Sequence, residues 1–302
     1  MAKPSFFIQI IFVIICIVAA AIAMRCEDNV GNNGLYGWDD TKKMLRDIDD
    51  IKNAIGSINL SKHTAKDLPM FDIRVDSLPY KCQTHGPYSS CAEITACTER
   101  SGYYYIRIPQ YNNESFLVEC DAHTEGGDWT VIQRREDGST DFYRTWAEYK
   151  VGFGEVDGEF FIGMDKLFAL TNYQGPQELL ILMVNGTNEA KGYAKYDSFR
   201  IANEVEKYKL IRTGQYTGTA GDSLKGHIGA KFSTKDQDND VHAEGNCAVL
   251  YMGAWWYTKC HSSNLNGHYG DKSYAKGVDW YSFTGHHNSL VYAKMMLRRK
   301  RG

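Results

Sequence analysis

The chain has 302 residues, which is enough for one large domain with accessory segments or for two small domains. Its formal net charge is −3, so it lacks the basic field that nucleic-acid binding requires, and nucleic acid is excluded as an expected partner. The chain contains 20 tyrosines and 6 tryptophans, side chains that fill protein cores and also form the walls of sugar and peptide sites.

An apolar stretch lies at the start of the chain. Residues 6–23 are almost wholly apolar and end in Ala21-Ile22-Ala23, a small-x-small cleavage pattern. The pattern predicts a secretory signal peptide over residues 1–23, with a type II membrane anchor as the alternative, because about 18 apolar residues can span a bilayer. Either interpretation places the remainder in an oxidising, extracellular compartment. Three glycosylation sequons agree with it: Asn59, Asn113 and Asn185.

Residues 24–60 form a predicted polar leader with a short coiled coil. Its apolar residues alternate at spacings of four and three: Met44, Ile48, Ile51, Ile55 and Ile58. Isoleucine at both positions of such a seam favours trimers or higher oligomers, so we expect a homo-oligomer. The alternative is a single amphipathic helix that packs on the following domain, since the seam is short and contains Gly56.

After a predicted linker over residues 61–87, short alternating and amphipathic runs predict an α+β fold. The predicted antiparallel strands are Tyr103–Ile108, Trp129–Arg134 and Leu179–Val184. The predicted short helices are Trp146–Tyr149, Met164–Thr171 and Ala202–Tyr208.

The stretch 232–267 carries the densest chemistry of the chain. Asp236, Asp238 and Asp240 stand on alternate positions, which brings several hard oxygen ligands together, as Ca²⁺ requires. An EF-hand loop starting at Asp236 is excluded, because Val241 stands where that loop needs glycine and Cys247 where it needs glutamate. The pattern therefore indicates a calcium loop of another kind, and the alternative is a solvated acidic turn.

Several motifs in this part of the chain keep one order. FSTKDQDND, NCA, GAWWYTKCH and SNLNG follow one another within residues 232–267, and GGDWTVIQRREDGSTDFYRTWAEYKVGFGEVDGEFFIG occupies residues 126–163. In this order and spacing they resemble the fibrinogen C-terminal domain family, and the similarity runs from about Tyr88 to Arg299. The resemblance implies one domain over residues 88–302. It would consist of a twisted antiparallel sheet with short helices and a loop-rich subdomain that binds calcium and a ligand.

The resemblance also implies a disulfide framework. It implies one disulfide between Cys91 and Cys120 and another between Cys247 and Cys260. The cysteines left after the signal segment are Cys26, Cys82 and Cys97. For these we predict a Cys82–Cys97 bond, with Cys26 free to join two chains.

For the metal, the resemblance implies that Asp238 and Asp240 supply carboxylates to Ca²⁺, with main-chain carbonyls just beyond them. The loop is one residue longer than the family norm, so two sets of carbonyls stay open. Counting from the aspartates gives His242 and Glu244, whereas counting back from the cysteine gives Ala243 and Gly245. Zinc binding through His242 is disfavoured, since it needs further histidine or thiolate ligands and the cysteines are expected in disulfides.

Within the family, the chain resembles the ficolins and the tachylectin-type lectins, which bind acetylated sugars in a small pocket beside the calcium loop. The matching pocket residues are Tyr251, His261, Tyr274 and Ala275. A tight apolar cup suits the acetyl methyl, and a few fixed polar partners suit the amide. The family also holds the bond before the second cysteine cis, here Lys259–Cys260.

One pocket position departs from these lectins. His286 follows Gly285 where they carry a tyrosine, so this wall of the pocket is expected to be altered or pH-sensitive. The sequence thus predicts a secreted, calcium-stabilised lectin for N-acetylated glycans on cell or microbial surfaces, with a role in innate immune recognition. The alternative is a fibrinogen-like extracellular ligand or structural protein that binds a receptor or polypeptide. The sequence shows no Ser/His/Asp or Cys/His grouping, so we do not expect an enzyme.

Overall fold

The computed structural model describes residues 78–85 and 87–301, with the backbone alone at residues 84 and 85. The predicted signal peptide, coiled coil and most of the linker lie outside the described residues, as do Cys26 and Asn59. Among the described residues, no helix has the length and apolar character that crossing a membrane requires.

A ten-stranded sheet, antiparallel in every pairing, forms the body of the domain. Its first nine strands are β1 (Gly102–Ile106), β2 (Phe116–Asp121), β3 (Trp129–Arg135), β4 (Phe153–Gly154), β5 (Phe160–Phe161), β6 (Gln177–Asn185), β7 (Lys191–Ile201), β8 (Leu210–Arg212) and β9 (Tyr216–Gly218). Its tenth strand is the last in the chain, β12 (Leu290–Arg299). A separate two-stranded sheet consists of β10 (Ser263–Asn264) and β11 (Asp279–Trp280). The order of hydrogen-bonded neighbours is β1-β2-β3-β12-β6-β7-β8. Outside this order, β5 pairs with β3 and β4, and β9 pairs with β7.

The helices are short. They are α1 (Cys91–Thr98), α2 (Trp146–Val151), α3 (Met164–Tyr173), α4 (Cys247–Leu250) and α5 (Tyr281–Thr284). Helix α2 begins at a capping box, in which the Thr145 side chain accepts from the Glu148 amide and the Glu148 side chain accepts from the Thr145 amide. The α+β prediction is confirmed, as are the predicted helices that became α2 and α3.

The helix predicted over Ala202–Tyr208 is wrong, because this segment contains only a 3₁₀ turn at Glu204–Glu206. The Asn203 side chain starts that turn by accepting from the Glu206 amide at 3.2 Å. Lys207 and Tyr208 then adopt positive φ angles of 58° and 45°, which a right-handed helix cannot continue through. The predicted strands correspond to β1, β3 and β6. Strand β1 ends at Ile106, before the predicted Ile108, because the Arg107 amide donates instead to the Tyr88 carbonyl.

The C-terminal strand β12 lies at the centre of the sheet, between β3 and β6. Residues 293–298 are all buried, so the strand lacks the polar–apolar alternation of a half-exposed strand. Two of its buried residues are charged. Lys294 lies 3.2 Å from both Glu119 and Asp121, and Arg298 lies 2.8 Å from Glu178.

Aromatic side chains connect the sheet to the loop-rich third of the domain. The Phe232 ring, at the entrance to the acidic stretch, lies 5.2 Å from the Tyr149 ring of α2 and 5.4 Å from the Trp256 ring. The Trp256 indole N–H also donates to the Tyr208 carbonyl at 2.8 Å. These buried contacts place the acidic loop against α2.

Three disulfides cross-link the described residues: Cys82–Cys97, Cys91–Cys120 and Cys247–Cys260. They are the pairings given for these six cysteines from the sequence. Disulfides of this number are typical of proteins from oxidising compartments.

The two described sequons differ in exposure. Asn113 is exposed in the loop between β1 and β2. Asn185 ends β6 with 8% of its surface exposed, and its side-chain oxygen accepts from the Thr187 amide at 2.8 Å. Glycosylation of the folded domain is therefore expected at Asn113 and not at Asn185.

Candidate ligand and metal site

The acidic loop separates its three aspartates into two roles. Asp236 accepts hydrogen bonds from the Trp146 amide at 2.9 Å and from the Thr234 hydroxyl at 2.7 Å. Its carboxylate therefore anchors the loop to the first turn of α2, although the sequence pattern grouped it with the other two.

Asp238 and Asp240 lie next to each other in the loop. The Asp240 amide donates to the Asp238 carboxylate at 3.2 Å. The Asp240 carboxylate accepts from the His242 and Cys247 amides, each at 2.8 Å. Burial raises the pKa of Asp240, and the charge of Asp238 adds to that increase against the lowering effect of the two amides. Two adjacent carboxylates, one fixed by backbone amides, fit a hard cation such as Ca²⁺.

The residues just beyond have different surroundings. The His242 carbonyl accepts from the Gly245 amide at 3.4 Å, and the His242 ring atom Nδ1 is buried without a hydrogen-bond partner in the described part of the chain. Glu244 is exposed. The choice between the carbonyls of His242 and Glu244 and those of Ala243 and Gly245 stays a prediction.

Helix α4 connects the acidic loop to the segment that contains Cys260 and His261. The Asn246 side chain caps α4 by accepting from the Ala248 amide at 2.8 Å, and it donates to the Thr234 carbonyl at 3.0 Å. The Cys247–Cys260 bond joins the start of α4 to the segment before His261. The Lys259–Cys260 peptide is cis, as the resemblance implied.

Four rings meet beside this disulfide and form what we call the ring cluster: Tyr251, His261, Tyr274 and His286. The His261 ring centre lies 4.9 Å from that of Tyr251 and 5.4 Å from that of His286. The Tyr274 ring centre lies 5.2 Å from that of His286, and Tyr274 is 57% exposed. Ala275 is buried, and its amide donates to the His286 carbonyl at 2.7 Å. The structure therefore brings the five predicted pocket residues together.

Asp279 is a site residue that the sequence analysis missed. It lies on β11 opposite Asn264 of β10, and that pairing carries its carboxylate to the ring cluster. One carboxylate oxygen lies 3.4 Å from Nε2 of His261 and 3.4 Å from Nδ1 of His286. The available signal was an acidic residue inside the apolar run Val278-Asp279-Trp280.

His227 is a second residue that the sequence analysis missed. Its Nδ1–H donates to the Trp256 carbonyl at 2.7 Å, and its Nε2 accepts from the Ser262 and Ser263 amides at 3.1 and 3.3 Å. Burial lowers the pKa of His227 to about 4, so the ring is neutral at physiological pH. A neutral imidazole thus fixes the backbone directly after His261.

These features define a disulfide-stabilised α+β domain with an acidic loop and a cluster of aromatic and imidazole rings. The family model described as fibrinogen beta and gamma chains, C-terminal globular domain, matches residues 88–300. The chain belongs to this fibrinogen C-terminal domain family.

Two human proteins are similar to a large part of the chain. Human tenascin-R is 47% identical over 198 residues, which are 66% of this chain and 14% of tenascin-R. Human fibrinogen C domain-containing protein 1 is 42% identical over 228 residues, covering 73% of this chain and 49% of that protein. The chain thus spans about a seventh of one relative and about half of the other.

Solved structures agree on the fold. The fibrinogen-like globe domain of human ANGPTL2 matches with a TM-score of 0.67 and 42% identity, over 71% of this chain and 100% of that one. The lamprey fibrin D-dimer, complexed with the peptide Gly-His-Arg-Pro-amide, matches with a TM-score of 0.68 and 26% identity, over 98% of this chain and 92% of that one. The family is thereby confirmed, whereas the closer similarity to ficolins and tachylectin-type lectins stays a prediction.

Proposed function

We propose that this chain is a secreted, calcium-stabilised lectin that binds N-acetylated glycans at the ring cluster. The observation that supports the proposal is the convergence of Tyr251, His261, Tyr274 and His286 beside the Cys247–Cys260 disulfide. A binding role is proposed in preference to catalysis, because the cluster offers walls and hydrogen-bonding groups without an evident nucleophile–base pair.

The shape and chemistry of the cluster suit an acetamido group. The Tyr251 and Tyr274 rings offer apolar surfaces, and the buried Ala275 adds a small apolar group beside His286, which suits a methyl group. Imidazole and phenol groups supply the polar partners of the amide. A site that hydrogen-bonds such a group rejects an analogue that lacks it, since the polar groups of the site are then left unpaired.

Calcium is proposed to hold the loop that carries α4 and thereby Tyr251. Asp238 and Asp240 would be its carboxylate ligands, and when bound the ion would neutralise these two adjacent charges. The Asp240 carboxylate accepts a hydrogen bond from the Cys247 amide, which links the acidic loop to the start of α4.

The proposal also includes a homo-oligomer, a trimer or larger, formed through residues 24–60. Several linked domains bind a surface far more strongly than a single millimolar site does, without any new contact. Acetylated carbohydrates on cell or microbial surfaces are the proposed partners, in innate immune recognition.

The test is elution of the protein, stripped of metals and then loaded with calcium, from an N-acetylglucosamine resin. We expect N-acetylglucosamine to release the protein and glucosamine to fail. Tyr274→Ala should weaken binding by about 1–3 kcal/mol, the range for emptying an apolar contact or unpairing a polar group. Because a millimolar site is worth only about 4 kcal/mol, this loss removes detectable retention.

Tyr173→Ala is the matched control, since Tyr173 is a 42% exposed tyrosine on α3, outside the ring cluster. Equal elution by glucosamine, or equal loss in both variants, would overturn the acetyl proposal. Binding of a polypeptide would then be the leading function. The lamprey fibrin structure contains a bound peptide, so binding of that peptide can be tested directly.

A further inference from the structure

We propose that His261, Asp279 and His286 form a zinc-binding site. Each residue offers one ligand atom, and the three atoms lie within 4.8 Å of one another. They come from three separate places in the chain: the residue after the Cys247–Cys260 disulfide, strand β11, and the loop between α5 and β12.

The separations suit a tetrahedral metal. One oxygen of Asp279 lies 3.4 Å from Nε2 of His261 and 3.4 Å from Nδ1 of His286. Zinc with nitrogen and oxygen ligands at about 2.0–2.1 Å separates neighbouring ligand atoms by roughly 3.3–3.4 Å. Hydrogen bonds between such atoms cluster instead near about 2.9 Å, so both contacts are long for hydrogen bonds and match two edges of a zinc tetrahedron.

The burial of the carboxylate points to a cation. The side chains of His261 and Asp279 are 1% and 2% exposed, and that of His286 is 12% exposed. The second oxygen of Asp279 is buried with no hydrogen-bond partner among the residues of the structure that are described. Within that same part of the chain, no lysine or arginine forms an ion pair with Asp279. A buried carboxylate with an unpaired oxygen is costly, and a bound metal ion offsets that cost.

The chemistry of the donors favours zinc over calcium and magnesium. Calcium and magnesium prefer oxygen ligands, whereas two imidazoles and one carboxylate are a common zinc set. Three protein ligands leave the fourth tetrahedral position for water or for a bound ligand. His286, the most exposed of the three ligands, also contacts the rings of Tyr274 and Tyr281.

This zinc site shares His261 and His286 with the ring cluster, but it goes beyond the proposed lectin function and does not depend on it. Zinc binding is measured by titrating the metal itself. Acetyl-group binding is measured on protein that has been stripped of metals and then loaded with calcium. One proposal can therefore fail while the other stands.

The experiment is a calorimetric titration of Zn²⁺ into the untagged full chain, stripped of metals and then saturated with Ca²⁺ so that the acidic loop is occupied. We expect one zinc ion per chain. Asp279→Asn and His286→Gln should weaken the affinity roughly 10-fold or more, since even losing an outer partner of a zinc ligand costs about 10–100-fold. His287→Gln, which removes the adjacent exposed histidine, should leave it unchanged.

Cobalt substitution keeps the test decisive if a variant fails to fold. Co²⁺ added to the wild-type protein should give the intense visible absorption of a tetrahedral site, and Zn²⁺ should remove it. A weak octahedral spectrum would overturn the proposal. It would likewise be overturned by the absence of saturable zinc binding, or by folded Asp279→Asn and His286→Gln proteins with wild-type affinity.

Discussion

Both ring nitrogens of His227 form hydrogen bonds with the backbone around the site. The residue is only 1% exposed, so solvent cannot hydrate a charge on the ring. Two amides donate to its Nε2, so that nitrogen can accept a proton only if these bonds break. This explains physically why burial, with its backbone partners in place, keeps the pKa of the ring near 4.

The lowered pKa predicts acid sensitivity. The unfolded ring has a pKa of about 6.5, so between pH 6.5 and 4 the unfolded state binds more protons than the folded state. The stability due to neutral His227 is therefore complete above pH 6.5 and declines as the pH falls to 4. At about 1.4 kcal/mol per pH unit, roughly 2–3 kcal/mol of unfolding free energy is lost by pH 4.5.

Denaturant unfolding at pH 7.5 and pH 4.5 measures this loss. His227→Gln should be less stable than wild type at pH 7.5, yet lose less between the two pH values. Parallel pH profiles for the two proteins would contradict the assignment of a neutral, buried imidazole.

At the scale of elements, the acidic loop shows why spacing alone misleads. Alternate positions put three aspartates in one sequence pattern, but the fold directs Asp236 to the Trp146 amide of α2 and leaves Asp238 and Asp240 as the pair. The difference arises from the packing of Phe232 against Tyr149, a contact between residues far apart in the chain.

Calcium should therefore distinguish the three aspartates. Saturating Ca²⁺ at about 100 times its dissociation constant stabilises the wild type by roughly 2.7 kcal/mol, or about 5–10 °C in a domain of this size. Asp238→Asn and Asp240→Asn should largely lose this rise. Asp236→Ala should unfold at a lower temperature, because the first turn of α2 loses an acceptor, yet keep the calcium-dependent rise.

Scanning calorimetry with calcium and with chelator checks this set. Glu244→Gln is the control, since it removes an exposed charge and keeps every backbone carbonyl. A calcium response that persists in Asp238→Asn and Asp240→Asn would place the ion elsewhere.

Strand β12 makes a separate prediction. Lys294 is 8% exposed and faces Glu119 and Asp121, of which Glu119 also pairs with Arg134. Lys294→Met therefore leaves the buried Asp121 without its cationic partner and should destabilise the domain by about 3–5 kcal/mol. Lys300 forms one exposed ion pair with Asp197 just after the same strand, so Lys300→Met should cost about 0–1 kcal/mol. Urea unfolding compares the two variants, and equal losses would show that the buried cation does not stabilise the sheet.

Strand β12 also differs from β3 and β6 in how well its local sequence predicts a strand. Strands β3 and β6 are rich in apolar and β-branched residues, and their local patterns suffice to predict them. Strand β12 is buried on both faces and contains Lys294 and Arg298, so neither alternation nor an uninterrupted apolar run marks it. The sequence near Ala202 favoured a helix, but two consecutive residues with positive φ prevent one.

At the scale of the whole molecule, the candidate site depends on pairings that local patterns do not contain. The pocket residues followed from the family resemblance, which fixed their order along the chain. Asp279 reaches His261 through the pairing of β10 with β11. The backbone hydrogen bond from the Ala275 amide to the His286 carbonyl holds His286 beside them. Non-local contacts of this kind are visible in the fold and not in the spacing of residues.

Nuclear magnetic resonance of the imidazoles tests whether the ligand binds at the ring cluster. The chain has 9 histidines, so selective isotope labelling gives a small set of ring signals. On titrating N-acetylglucosamine into zinc-free, calcium-loaded protein, the His261 and His286 signals should shift saturably, while those of His123 and His268 stay in place. Glucosamine should cause no comparable shift. Saturable shifts elsewhere with His261 and His286 unmoved would show that the sugar binds outside the ring cluster, and equal shifts with glucosamine would show that the acetyl group is not recognised.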